Sequence, residues 1–185
     1  MTGLLRLRAF ARTAVIEHDV CELCGVVLSA DHDHVADVEH GVLRCACQPC
    51  RLLFEDRGAG GGKLQAVPSR YARIAIDRDG SASPVDVCFY IASSRYGIAG
   101  FYPGPGGAIG SELPVPDWPA LRRLQPDVEA LIVRGGTAFI TPVSAAYELT
   151  GLIRGAWTGF TGGDAMRVVD QFFDRLGRLA QEVMA

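Results

Sequence analysis

Residues 21–50 read CELCGVVLSADHDHVADVEHGVLRCACQPC. The stretch contains five of the chain's six cysteines and three of its four histidines, so its reading decides whether the N-terminal third is built around a metal. Two Cys-x-x-Cys pairs stand out, Cys21/Cys24 and Cys47/Cys50, with 22 residues between them. Four-cysteine zinc sites commonly separate their pairs by about 15–20 residues, so this loop is slightly long but adequate. Two residues between thiolates let a tight turn present both sulfurs to one ion while backbone N–H groups point at them. Gly25, directly after Cys24, supplies the left-handed backbone that such a turn tends to need. Zinc holds four thiolates in a tetrahedron and keeps no open position in a structural site. The expectation is therefore a structural metal site of Cys21, Cys24, Cys47 and Cys50 holding zinc, with iron as the alternative because a rubredoxin-like centre uses the same four sulfurs.

The remaining donors are less directly assigned. Cys45 is surplus to a four-thiolate site and reads as a buried neighbour or a spare ligand; an iron–sulfur cluster that included it would match neither common ferredoxin spacing. Asp31-His32-Asp33-His34 lies between the two pairs. The arrangement resembles zinc-stabilised nucleases of the His-Asn-His type, in which a His is general base for water and a carboxylate with a second His holds a divalent ion at the scissile phosphate. Those enzymes carry Asn directly after the last knuckle cysteine, where this chain has Arg51. His32, His34 and Cys45 are accordingly expected as additional ligands or as groups that orient the metal loop. A metal-dependent nuclease and a rubredoxin-like electron carrier remain the alternatives to a non-enzymatic role. Cys88, inside the apolar run VDVCFYIA, reads as a core thiol.

Bulk properties narrow the classes. The chain has 185 residues, 49% of them hydrophobic and 21% charged, which describes an ordinary globular protein. A net charge of −3 and a pI near 5.8 argue against a protein whose main task is to neutralise nucleic-acid phosphates. No segment approaches the roughly 20 continuous apolar residues of a membrane span. The N-terminal MTGLLRLRAFARTAVIEHDV interleaves arginine with apolar residues and reads as a packed arm, not a secretory signal. A cytoplasmic setting follows, in which cysteines serve as metal ligands more readily than as disulfides.

Three blocks are expected along the chain: a zinc-ribbon-like module over 1–56, a glycine-rich connector over 57–67, and an α+β domain over 68–185. The connector's RGAGGGK is not a phosphate-binding loop, because the positions that would need Gly and Ser or Thr hold Arg57 and Leu64. In the third block, LQAVPSRYARIAI leads to a turn at Asp79-Gly80, and PVDVCFYIASS with SSRYGIAGFYP reads as a hairpin turning near Tyr96-Gly97. FYPGPGGAIGSELPVPDW is dense in Gly and Pro and reads as a long surface loop that includes the Gly/Pro stretch 103–110. Trp118 to Leu124 predicts a short helix, PDVEALIVR a buried strand and TAFITPV its neighbour. SAAYELTGLIRGAW carries Leu149, Ile153 and Trp157 at helical spacing. The last helix starts at Asp164 as N-cap, with Val169, Phe172, Phe173, Leu176, Leu179 and Val183 as its apolar stripe. Two helices covering one face of a mostly antiparallel sheet make an α+β fold. Asp127, Glu129 and Glu148 offer no obvious acid/base pair and read as groups of a solvated face or of helix and strand ends.

The order CELCG, LRCACQPCRLLF, VPSRY, GFYPGPGG, SELP, PDVEALIVR and YELTGLIR resembles an uncharacterised, mainly actinobacterial zinc-ribbon family often encoded near high-affinity nickel–iron hydrogenase genes. The resemblance spans nearly the whole chain and implies an accessory role in hydrogenase maturation or assembly. The implied partner is a protein, a hydrogenase subunit or a maturation factor. The Arg154/Trp157 face and the GFYPGPGG segment are the expected contact surfaces.

Overall fold

A computed structural model describes residues 19–76, 86–158 and 164–183. The N-terminal arm and the expected Asp79-Gly80 turn lie outside them. The fold is α+β: a small three-stranded sheet beside the cysteine pairs, then a six-stranded antiparallel sheet with two C-terminal helices packed on it.

The small sheet consists of β1 (Asp33–Asp37), β2 (Val42–Ala46) and β3 (Leu64–Ala66) in the order β2-β1-β3. A one-turn helix, α1 (Gln48–Leu52), follows β2 with Cys47 at its N-cap. β3 falls inside the stretch expected to be a connector. Phe54 O accepts from Ala66 N and Lys63 O from Val38 N, so the glycine-rich segment is bracketed by hydrogen bonds, and its left-handed Gly60, Gly61 and Gly62 turn the chain back onto β1. Composition alone reads such a run as a flexible link; here it is a compact turn that delivers a strand.

The large sheet has the order β4-β9-β8-β5-β6-β7, from β4 (Ala72–Ala75), β5 (Val87–Ser93), β6 (Gly97–Gly104), β7 (Gly107–Gly110), β8 (Glu129–Arg134) and β9 (Thr137–Pro142). Its central strand β8 is buried on both faces, which is why it reads as a continuous apolar run instead of alternating. On one face Phe89, Ile132 and Phe139 meet Leu149, Ile153, Val169, Phe172 and Leu176 of the helices α2 (Val143–Ala156) and α3 (Ala165–Val183). On the other, Cys88, Leu131, Val133 and Ile140 are covered by Ala120 and Leu121 of the 3-10 turn Pro119–Arg123 and by Leu124 directly after it. Cys88 is thus a core thiol. Asp164 O accepts the first helical bond of α3 from Val168 N, as an N-cap carbonyl does.

The Gly/Pro segment is corrected by the structure. Residues 103–110 are not an irregular loop: β6 continues through Gly104 and returns as β7, with Pro103 opposite Ala108 and Phe101 opposite Gly110. Pro105 and Gly106 form the turn, and Gly107 follows at a φ of 114°. Proline is tolerated because the hairpin lies at the margin of the sheet, where a missing N–H breaks no central ladder. Among the described residues no helix is long and apolar enough to cross a membrane.

The two sheets meet through Ala36, Val67, Val128 and Val143, with Leu43 and Ile91 packed against them. Arg95, in the β5–β6 turn, donates to Glu39 O at 2.6 Å in the β1–β2 turn. Where the chain passes from β3 to β4, Arg70 pairs with Glu129 of the large sheet. Glu129 was expected on a solvated face, but it is fully buried at the head of β8. Its carboxylate accepts from Arg70 Nε and Nη2 at 2.9 Å each and from Gln125 N at 2.8 Å. Asp127, two residues before β8, accepts from Ser94 N at the β5–β6 turn. Glu148 pairs with Arg175 at 2.6 Å, joining α2 to α3.

Candidate metal centre

The first cysteine pair sits on a tight β-knuckle. Val20 bridges Val27, Cys21 N donates to Val26 O at 2.8 Å, and Gly25 N donates to Cys21 O at 2.7 Å. The turn needs Gly25 at φ 77°, the left-handed conformation anticipated from its place after Cys24. The second pair lies where β2 passes into α1. Arg51 N donates to Cys47 O at 2.9 Å, and one helical turn carries Cys50 back beside Cys47. Glu22 N donates to Cys45 O, and Cys45 N donates to Glu22 Oε1, so the knuckle is locked to the free edge of β2 and the two pairs face each other.

The four sulfurs of Cys21, Cys24, Cys47 and Cys50 lie within 4.8 Å of one another and can hold a metal ion. Cys24 and Cys47 Sγ are 3.7 Å apart. Zn–S bonds of about 2.3 Å in a tetrahedron set sulfur–sulfur edges near about 3.8 Å, so this edge already has the length that an ion would impose. Electrostatics agree with the geometry. Burial raises the Cys21 thiol, but backbone N–H groups of Cys47, Leu23 and Cys24 and the Cys24 side chain outweigh it and bring it down to about 6. Cys50, hydrogen-bonded to the Cys47 and Cys24 sulfurs, is pushed up to about 12. Four crowded thiols cannot all ionise against one another; a divalent cation among them removes that repulsion, and the donor set fits zinc or iron. Cys21, Val35 and Ala46 form a small core behind the cluster, with Phe54 and Leu64 against it.

The structure also gathers the other three expected donors. His34 stands opposite Cys45 in the β1–β2 register, and His32 lies two residues before His34. Side chains two apart along an extended strand, and side chains directly opposite across a pair, share a face. His32, His34 and Cys45 offer ligand atoms within 4.8 Å of one another, and the two imidazoles lie 4.9 Å apart between centroids. Burial and the neighbouring His32 hold the His34 imidazole below its usual range. Burial and the charges of Asp19 and Glu22 raise the Cys45 thiol. Asp33, the carboxylate a nuclease reading would need, faces Arg51 at 3.3 Å.

Two features were not foreseen from the sequence. One is the cluster around Asp37 on β1, whose buried carboxylate accepts from Arg44 Nη2 at 2.6 Å and from His40 Nδ1 at 2.8 Å. The Arg44 guanidinium and then His40 hold it far below the usual carboxylate range. The period-2 spacing of Asp37 with the apolar Val35 was the signal that this acid faces inward. The other is a cleft of about 380 Å³ between the β1–β2 turn and the large sheet, with His40, Arg95, Tyr96 and Tyr147 in its lining. It joins side chains distant in sequence and has no local signature.

Residues 20–180 match the model of a family described as a family of unknown function (DUF5947), and the chain belongs to it. No curated protein and no solved structure matches the chain.

Proposed function

We propose that this chain is a zinc-stabilised accessory protein that binds a protein partner, with nickel–iron hydrogenase maturation or assembly as its setting. The observation that carries the reading is the closed four-thiolate cluster placed behind the β1–β2 ribbon. All four positions of a tetrahedral ion would be taken by sulfur, so the ion would serve architecture and not turnover. Holding that ribbon holds one wall of the cleft, and the cleft's other wall presents Tyr96, 81% exposed, and Tyr147, 52% exposed, beside Arg95. Tyrosine and arginine are the residue types that anchor protein interfaces. The hydrogenase setting rests on the resemblance of the cysteine-rich, GFYPGPGG and YELTGLIR stretches described above. Zinc is preferred to iron because a closed tetrathiolate with a purely structural task needs no redox activity.

Affinity purification from a native host under reducing conditions tests the reading. A hydrogenase subunit or maturation factor should be recovered with the wild-type chain and lost with Tyr96→Ala. Recovery of no hydrogenase-linked protein would overturn the setting, and a red, iron-containing preparation would overturn the zinc assignment in favour of an electron carrier.

A further inference from the structure

We infer that His32, His34 and Cys45 form a second metal site, for a late first-row divalent ion, with one coordination position left open. This site is separate from the four-thiolate cluster. Along β1 the alternation of side chains sends Val35 into the small core with Cys21 and Ala46, whereas Ala36 packs toward the large sheet with Val67 and Val143. His34 shares its face with Ala36, so the two clusters occupy opposite faces of the β1–β2 ribbon.

The decisive observation is the state of His32. Its Nδ1 lies 3.0 Å from Ser29 O, and a carbonyl oxygen only accepts, so Nδ1 carries the hydrogen. In the neutral ring the lone pair is then on Nε2, which is buried without a hydrogen-bond partner among the described residues. A buried acceptor left unpaired costs free energy that native structures seldom tolerate. An imidazole fixed by a backbone carbonyl through one nitrogen, with the other turned inward and bare, has the arrangement by which proteins orient a metal-ligating histidine. Its neighbours within reach are the His34 imidazole and the Cys45 thiol, both ligand types themselves.

Two imidazoles and one thiolate suit zinc and its late first-row neighbours and disfavour magnesium or calcium. Three protein ligands leave a tetrahedral ion one position for a further donor, and all three residues are partly exposed, so small molecules can reach the cluster. Asp19 and Glu22 place negative charge beside both His34 and Cys45, which favours a cation there. A fourth ligand would come from water or from a partner's donor group.

The test is metal stoichiometry and cobalt spectroscopy on the full chain. Zinc-loaded wild type should carry two ions per chain after gel filtration; Cys45→Ser and His32→Ala should each carry one, and His40→Ala, outside the cluster, should keep two. In the Co²⁺-loaded protein, azide should shift one set of visible bands and leave the tetrathiolate set unchanged. One ion in the wild type, two ions in Cys45→Ser, or bands indifferent to azide would overturn the proposal. If a variant also loses the tetrathiolate bands and so fails to fold, the wild-type stoichiometry and azide response decide alone.

Discussion

The two sheets of this molecule are held together by different means. The six-stranded sheet is covered on both faces: Leu131, Ile132, Ile140, Leu149 and Leu176 are all less than 2% exposed, and burial of such side chains stabilises by about 1.5–3 kcal/mol each. Apart from Ala36 and Val67, which lean on the large sheet, the small sheet has a core of only Cys21, Val35 and Ala46 with a few half-buried neighbours, and Val20, Val26, Val27, Val42, Leu52 and Leu53 in and around it remain exposed. That much apolar contact is too little to order three strands by itself. An ion held by the four cysteines would supply the cross-linking that the small sheet's own core does not.

The comparison can be broken most directly by removing a ligand. Cys50→Ser should cost the small sheet most of a structural site's contribution, about 10–16 kcal/mol in small zinc modules. The expected outcome is loss of one bound ion and rapid proteolysis within 19–66, while the large sheet still melts cooperatively. Equal destabilisation of both sheets by calorimetry would refute the division.

Next in size are losses inside the large-sheet region. Arg70→Ala leaves the Glu129 carboxylate buried without its guanidinium and should lower stability by about 3 kcal/mol, read as a shift in denaturant midpoint with metal content unchanged. Leu176→Ala, in the helix-covered core, should cost about 2–5 kcal/mol in the same assay and leave metal stoichiometry untouched. A drop in metal content in either variant would show the regions to be more tightly coupled than their contacts imply.

Acid should act on the small sheet first. Asp37 has a depressed folded pKa, so its stabilisation is complete above the unfolded value near about 4 and is lost as pH falls from there toward the folded value. Thiolate protonation releases metal over the same descent. Asp37→Asn should flatten the acid limb of small-sheet stability measured by amide exchange in metal-saturated protein; an unchanged limb would remove Asp37 from the account. The smallest effect belongs to Gly25→Ala. A Cβ there meets nothing within 4 Å, so only the left-handed backbone is strained, by about 1 kcal/mol, and metal affinity should fall several-fold.

What could be read from the sequence follows the same division. The α+β class, the buried PDVEALIVR strand, the helix stripe from Val169 to Leu176 and Gly25 in its turn are local patterns, and each forms as its periodicity or spacing predicts. Features that depend on register were not legible. His34 and Cys45 become neighbours only once β1 and β2 are aligned, and Glu129 finds Arg70 across 59 positions of sequence. Glycine and proline content misled twice, at 57–67 and at 103–110, because the same residues that loosen a chain also make the tight turns of a strand return.

Hydrogen exchange read by mass spectrometry, on metal-loaded protein and after chelation, tests the central claim most directly. Chelation should strip protection from residues 21–66 and leave β5, β8 and β9 as slow as before. Unchanged protection in the small sheet, or loss spread evenly over both sheets, would contradict it.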